Sequence, residues 1–453
     1  MPEKDLNTVT VIGLGKLGSP LAACLAHKGY TVIGVDVVQR MVDTLNAGKA
    51  PVFEPGLDEL IHTNRERISA QQDLDDAVSR SDATFIVVAT PSDEGGGFSL
   101  CYVLPACEQI AGALKRKKDW HLVVLTSTVM PGATQSQVVK LLEEKSGKKC
   151  GRDFGVCYSP EFIALGSVIR DYLNPDFVLI GESDKKAGEL LEGIYKKVCD
   201  NQPRIARMNF ANAELTKLSV NTFVTTKITF SNTLARMCEK LPDADVDVVS
   251  QALGLDTRIG QKYLKGAVGY GGPCFPRDTV AFAALARGLG VAAYLAEATD
   301  RTNRDQVGIL AELVRSRLSG GGKVSVLGLS YKPNTDVVEQ SQGLLLAQAL
   351  CNAKVPTVVY DPKSMDNARK VLGDAVEYAA SLQAAVERSD VIVLMTPWNE
   401  FSHLKPEALK RTGKARVVID CWRVLDRHAF GRVADYIGLG LNLEQCKKLQ
   451  STL

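Results

Sequence analysis

Short apolar runs of four or five residues recur along the chain, each closed by glycine, proline, serine or threonine and followed by a stretch of helical periodicity. The first, Thr8–Ile12, leads through Gly13, Gly15 and Gly18 into an Ala/Leu-rich stretch at 19–28, which Gly29 ends; a second run occupies Thr31–Val35. Alternation of this kind predicts strand, helix and strand of a parallel sheet. "ATFIVVATPS" and "HLVVLTSTVMPG" continue it, with strand ends at Thr90-Pro91 and Ser127-Thr128, and "FGVCY" runs into "SPEF". A long helix is predicted over 211–241. From "GGGKVSVLGLSYKPNTD" the rhythm restarts, with apolar runs at 323–327, 357–360, 391–395 and 417–419 separated by helical stretches. The expected fold class is α/β, with two Rossmann-like parallel-sheet domains joined by a long central helix and a helical region. The boundaries drawn are 1–205, 206–305 and 306–453, which a chain of 453 residues accommodates.

The glycine turn is where the pattern first acquires chemistry. Gly13, Gly15 and Gly18 form GxGxxG inside a complete βαβ unit, and Asp36 stands eighteen residues past Gly18 at the end of the second strand. Glycines there let backbone approach a pyrophosphate that rests on the helix N-terminus, while the acidic residue takes the ribose hydroxyls. A carboxylate in that place repels a 2′-phosphate, so NAD is expected rather than NADP. The alternative is a glycine-rich turn without a ligand. Ligands bind beyond the carboxyl ends of strands in open parallel sheets, which makes Thr90 and Thr128 candidates, against a simple turn-forming role.

A second stretch, "GAVGYGGPCFPRD", places Cys274 after many glycines, between two prolines and four residues before Asp278. It reads as a shaped loop presenting one thiol, or as a tight turn with a buried cysteine. Lys217 and Asn221, four apart on the long helix, share a face and could hold a developing oxyanion; a solvated lysine beside an asparagine is the plainer reading. Glu161, in "SPEF", fits a helix N-terminal carboxylate better than a catalyst on position alone.

Composition narrows the classes. The chain is 45% hydrophobic and 23% charged with a net charge of +2, which gives no support for nucleic acid or an anionic membrane as partner. Eleven cysteines are scattered without CxxC or a metal-ligand cluster, so no metal site is expected and a reducing, cytoplasmic setting is the simplest fit. "MPEKDLNTVTVIG" has no leader character, and no apolar run reaches membrane-spanning length. The five histidines lie outside every motif, which leaves them out of the expected chemistry.

With "VIGLGKLGSPLA", "VATPS", "STVMPG", "SPEF", "ELTKLSVNTF", "RIGQKYLKGAVGYGGPCFPRD" and "LGLSYKPNTD" in this order, the chain resembles the UDP-glucose/GDP-mannose dehydrogenase family over nearly its whole length. The resemblance implies an N-terminal NAD domain, a central region carrying a homodimer contact, and a C-terminal nucleotide-sugar domain. It implies oxidation of the C6 alcohol of a nucleotide sugar to a carboxylate, UDP-glucose foremost, with two NAD and one water. By the same resemblance Cys274 is the nucleophile that traps the aldehyde as a thiohemiacetal and then carries a thioester. Lys217 and Asn221 support the oxyanion, Glu161 and Asp278 serve hydrolysis, and Thr128 places the water. The cofactor falls to Gly13, Gly15, Lys16, Leu17, Gly18 and Asp36, with Thr90, Pro91, Thr128 and Arg277. The sugar nucleotide falls to Glu161, Phe162, Lys217, Asn221, Tyr263, Leu264, Tyr270, Gly271 and Lys332, with Arg258 reaching the neighbouring subunit's site.

Four positions depart from the family pattern. Leu165 stands where an acidic residue is usual, and Glu339 replaces an arginine. "DCWR" stands for "DGR", with Cys421 and Trp422 in place of Gly-Arg, so that either Arg423 substitutes for the arginine or the substrate end of the site has changed; Arg277 replaces a lysine. Alternatives within the class are UDP-N-acetylhexosamine and GDP-mannose. Outside it stand a two-electron dehydrogenase of the β-hydroxyacid type and a non-catalytic binder of NAD or nucleotide sugar.

Overall fold

A computed structural model describes residues 6–318 and 320–442. The first five residues, part of the segment read as lacking a leader, lie outside the described residues. Two units of dense internal packing divide the chain, Met1–Ser219 and Val220–Leu453.

The first unit is built on an eight-stranded sheet: β1 (Thr8–Ile12), β2 (Thr31–Val35), β3 (Ile68–Gln71), β4 (Ala83–Ile86), β5 (His121–Leu125), β6 (Phe154–Tyr158), β7 (Phe177–Glu182) and β8 (Arg204–Met208). Their spatial order is β3-β2-β1-β4-β5-β6-β7-β8. Every neighbour pair in this sheet is parallel except β6 with β7. Helices cover both faces, which is why β5 and β6 read as continuous apolar runs and are buried at each position. The order reverses between β1 and β4, so the carboxyl ends of these two strands border the crevice that such sheets offer to ligands.

The second unit holds a six-stranded parallel sheet: β9 (Val324–Leu327), β10 (Thr357–Tyr360), β11 (Glu377–Tyr378), β12 (Val391–Leu394), β13 (Val417–Asp420) and β14 (Asp435–Gly438), in the order β11-β10-β9-β12-β13-β14. Helices Val246–Gly254, Phe275–Gly288 and Tyr294–Arg317 precede it. The long helix runs Phe210–Cys238, three residues shorter at its end than the sequence pattern predicts. Pro242 explains the early stop, because the residue before a proline is driven out of helical geometry. Among the described residues no helix is long and apolar enough to cross a membrane.

The two sheets repeat one backbone device. In the first, Gly13 sits at φ +90 and a Cβ on Gly18 would lie 1.7 Å from the Gly13 carbonyl oxygen, so the first helix crosses directly over the end of β1. In the second, Gly328 sits at φ +97 and a Cβ on Gly343 would lie 1.9 Å from the Gly328 oxygen. The acidic residues match too. Asp36 accepts from Leu14 N at 2.7 Å, and Asp361 accepts from Leu329 N at 2.8 Å and Ser330 N at 3.0 Å. The second turn lacks GxGxxG and makes the same crossing with a longer loop between its two glycines. Gly343→Ala should therefore cost about 3 kcal/mol or more, at or beyond the usual range for overpacking, since backbone is what the methyl meets. A midpoint unchanged from wild type in thermal or denaturant unfolding would refute this crossing.

Candidate active site

The residues at the β1 turn fit a dinucleotide. No atom lies within 4 Å of the place a Cβ on Gly15 would take, while Gly13 and Gly18 are closed against backbone. The turn thus leaves open space over the amino end of the helix Gly18–His27, whose N–H dipoles favour a pyrophosphate. Asp36 is fixed at the end of β2 by Leu14 N at 2.7 Å and by Val38 N at 2.9 Å. Lys16 and Leu17 are half-buried in the same turn, and the Leu17 carbonyl accepts from Tyr172 Oη at 3.3 Å. β4 ends at Ile86 and β5 at Leu125, so the expected strand ends at Thr90 and Thr128 lie in the loops beyond; Thr90 is buried there, and Pro91 is exposed with its carbonyl taken by Ser99 N at 2.8 Å.

Beyond β6 the same unit gathers Glu161, Phe162 and Lys217, and Thr128 follows β5. Ser127 Oγ donates to Val88 O at 2.6 Å, which ties the end of β5 to that of β4 beside half-buried Thr128. Lys217, buried on the long helix, donates from Nζ to the Glu161 carbonyl at 2.7 Å and lies 4.7 Å from the Phe162 ring centroid. It thus meets the main chain of Glu161. The Glu161 carboxylate turns inward to Tyr195, whose hydroxyl is 3.4 Å away and also bonds Ser159 Oγ at 2.8 Å. Burial pushes the Glu161 carboxyl up from 4.5 to about 8, against the lowering influence of Lys217 and the tyrosine hydrogen bond. A group that exchanges its proton near neutrality suits general acid–base work. Leu165 packs against the apolar cluster on one face of the sheet.

In the second unit the cysteine loop is pinned residue by residue. The Gly266 carbonyl accepts from Arg423 Nη2 at 2.7 Å. Asn232 accepts from Ala267 N and donates to Val268 O, both at 2.9 Å. Asn303 brackets Tyr270 in the same way, at 2.8 and 3.0 Å, and Gly272 N donates to Glu339 O at 3.0 Å. Gly271 has no room for a side chain, because a Cβ would lie 2.2 Å from Gln340 O. The loop ends at Cys274, which is exposed and immediately precedes the helix Phe275–Gly288. The presented-thiol reading is therefore the one the geometry keeps. Proline in the first turn starts that helix without wasting a donor, and its free N–H groups favour negative charge at this end. Asp278, buried one turn on, donates its N–H to Cys274 O at 2.8 Å and accepts from Asn221 Nδ2 at 2.6 Å.

The remaining sequence candidates are placed as follows. Tyr263 is exposed at φ +65, a strained value for a residue with a Cβ, with its ring 6.3 Å from that of Phe275. Leu264 and Tyr270 are buried, and Tyr270 stands edge-on to Phe275 at 6.4 Å. Arg258 is 86% exposed at its side chain and paired with Asp256 at 2.6 Å. Arg277 is half-buried in the first turn of the cysteine helix, and Lys332 is half-buried in the loop after β9. Arg423, considered as a substitute for the family's arginine, is instead engaged internally. It sits at φ +56 and forms a two-point pair with Asp247 at 2.8 and 2.9 Å. Trp422 Nε1 donates to Met395 O at 2.8 Å.

Three groups escaped the sequence reading. Glu54 and Glu214 are buried carboxylates that accept backbone N–H groups of loops beside the site, and Tyr195 holds Glu161. Glu214 sits inside the quoted motif "ELTKLSVNTF", and Glu54 in the stretch "FEPGL". An acidic residue on the apolar side of a helix, three before Lys217, was the available signal.

The raised Glu161 carboxyl has a consequence for stability. Between about 4.5 and about 8 the folded chain holds a proton there that the unfolded chain has lost, so stability from this group falls as pH rises through that window. Glu161→Gln should flatten the decline. Melting temperatures of both proteins from pH 5 to 9 provide the check, and parallel curves count against the enclosed carboxyl.

Residues 7–199, 211–305 and 325–427 match, in turn, the NAD binding domain, the central domain and the UDP binding domain of the UDP-glucose/GDP-mannose dehydrogenase family. The chain is 36% identical over 423 residues to a UDP-glucose 6-dehydrogenase of Haloferax volcanii, covering 92% of this chain and 97% of that protein. It is 35% identical over 404 residues to a GDP-mannose 6-dehydrogenase of Pseudomonas aeruginosa, covering 85% and 90%. The solved UDP-glucose dehydrogenase of Pyrobaculum islandicum superposes with a TM-score of 0.88 at 34% identity, over 97% of this chain and 99% of that one. With an NAD-binding sheet first, a nucleotide-sugar-binding sheet last, and the cysteine loop between them in sequence, the chain belongs to the UDP-glucose/GDP-mannose dehydrogenase family.

Proposed function

We propose that the chain is an NAD-dependent nucleotide-sugar 6-dehydrogenase that converts UDP-glucose to UDP-glucuronate in a four-electron oxidation. The observation that carries this reading is exposed Cys274 at a helix start, one turn from buried Asp278 and its partner Asn221, in a chain with an NAD fingerprint. Bound NAD supplies the hydride acceptor at the sugar C6. The first oxidation releases one proton and leaves an aldehyde. The Cys274 thiolate adds to that carbonyl carbon, and the thiohemiacetal holds the carbon for the second hydride loss, which leaves a thioester. Lys217 and Asn221, one turn apart on one helix, support the oxygen that becomes negative. Water, placed by Thr128 and deprotonated by Glu161 or Asp278, cleaves the thioester to the carboxylate and returns the thiol. The family resemblance assigns Thr90, Pro91 and Arg277 to the cofactor. Phe162, Tyr263, Leu264, Tyr270, Gly271 and Lys332 take the sugar nucleotide, and Arg258 reaches the site of a second subunit. The division at residues 205 and 305 follows the same reading: cofactor domain, central region, nucleotide-sugar domain.

A homodimer is supported by the long helix, which exposes Phe223, Phe230 and Met237, seven residues apart, by 65%, 52% and 54%. An apolar stripe at heptad spacing needs a cover, and a second copy of the same stripe provides a self-complementary one.

NADH yield tests the reaction directly: two per sugar consumed, with the uronate as product. A single NADH per substrate points to the two-electron alternative, and binding of NAD without turnover on any UDP- or GDP-sugar points to the non-catalytic one. Cys274→Ala should abolish acid formation, and Cys274→Ser should slow it greatly because an alkoxide forms less readily than a thiolate. Full acid production by Cys274→Ala contradicts the mechanism. For the assembly, Phe230→Glu should convert a dimer to monomers in sedimentation; an unaltered sedimentation coefficient removes the stripe from the interface.

A further inference from the structure

One turn of the long helix reaches both loops of the first unit's site. Lys217 takes the Glu161 carbonyl after β6, and three residues earlier Glu214 reaches the loop after β5. The Glu214 carboxylate is fully buried. One oxygen accepts from Gly132 N at 2.6 Å and the other from Thr134 N at 2.8 Å. No lysine, arginine or histidine is among the groups that act on its pKa, which burial raises and the Thr134 side chain and the two amides lower. A buried carboxylate without a cation costs several kcal/mol unless hydrogen bonds offset it, so the arrangement holds only while both amides stay in place.

Those amides bracket the sharpest point of the loop. Gly132 is at φ +94, Ala133 N closes a turn onto Met130 O at 3.0 Å, and Thr134 opens the helical segment that follows. Thr128 lies four residues before Gly132 and has β5 anchored just behind it by Ser127. The segment between is thus fixed at both ends, by Ser127 to the β4 segment and by Glu214 to the helix that carries Lys217.

We propose that Glu214 is a positioning residue: by gripping the Gly132 and Thr134 amides it sets Thr128 against the helix turn that places Lys217 and Glu161. The inference rests on the hydrolytic role given to Thr128 above. Glutamate is needed because a glutamine retains one acceptor oxygen and turns an N–H toward the second amide.

The test is Glu214→Gln, assayed with NAD and UDP-glucose after wild type has been shown to yield two NADH per sugar. The expected result is a kcat lower by about tenfold or more, with both KM values within about threefold, because the loss falls on a step after binding. Intact mass should show sugar retained on Cys274 during turnover, since water delivery to the thioester is slowed. Hydrogen exchange should quicken by about tenfold or more at 128–134. A kcat within twofold of wild type, with or without a lower melting temperature, overturns the proposal, as does unchanged exchange over 128–134. The exchange readout stands even if wild type turns over no nucleotide sugar, an outcome that would reject the proposed function instead. If Glu214→Gln does not fold, Gly132→Ala replaces it: the methyl meets no atom within 4 Å but is strained at φ +94, so it displaces the same turn. It should show the same drop in kcat and the same faster exchange; wild-type values of either overturn the assignment.

Discussion

Backbone at the carboxyl end of a parallel strand has left the ladder of its sheet, and when it is buried it must find other partners. At several strand ends of this protein those partners are side chains. Asp36 and Asp361 take the amides after β1 and β9, Glu214 those after β5, and Glu54 those after the Glu161 segment. Asn232 and Asn303 do the same for the cysteine loop, acting as donor and acceptor at once. The chemistry sits on these segments, so its geometry is set by a small number of buried polar groups rather than by the sheets alone.

This division of labour has an energetic logic. The sheets are held by apolar burial on both faces, which is non-directional and tolerant of small shifts. A loop fixed by two-point hydrogen bonds to a buried carboxylate or amide tolerates much less, because losing one bond strands a polar group away from water. Rigid loops are what an enzyme needs at a reacting carbon that must be held through two successive oxidations. The same logic accounts for Glu161: enclosed and hydrogen bonded to one tyrosine, it exchanges its proton near neutral pH.

The two halves of the chain solve the strand-to-helix crossing alike and then diverge. The first keeps the five-residue turn that leaves space above Gly15. The second has fourteen residues between Gly328 and Gly343, and that longer loop carries Lys332 and supplies the Glu339 and Gln340 carbonyls that border the cysteine loop. A charge reversal at Glu339 therefore leaves its contact with Gly272 untouched, since the contact is made by the main chain.

The sequence by itself determined the two α/β sheets, the position of most of their inner strands, and the glycine turn with Asp36; it left open whether Cys274 is presented or buried. These follow from local rules: apolar periodicity, glycine and proline punctuation, and an acidic residue at a fixed offset. Family resemblance was needed to lift Glu161, Lys217 and Asn221 above plainer readings. Only the tertiary structure decided that Asn221 bonds Asp278, that Lys217 meets the main chain of Glu161, and that Arg423 is spent on Asp247 and Gly266. It alone revealed Glu214, Glu54, Tyr195 and Asn303 as the groups holding the site. Each of these contacts joins residues far apart in the chain, and their partners are mostly backbone amides and carbonyls, which look the same at every position of a sequence.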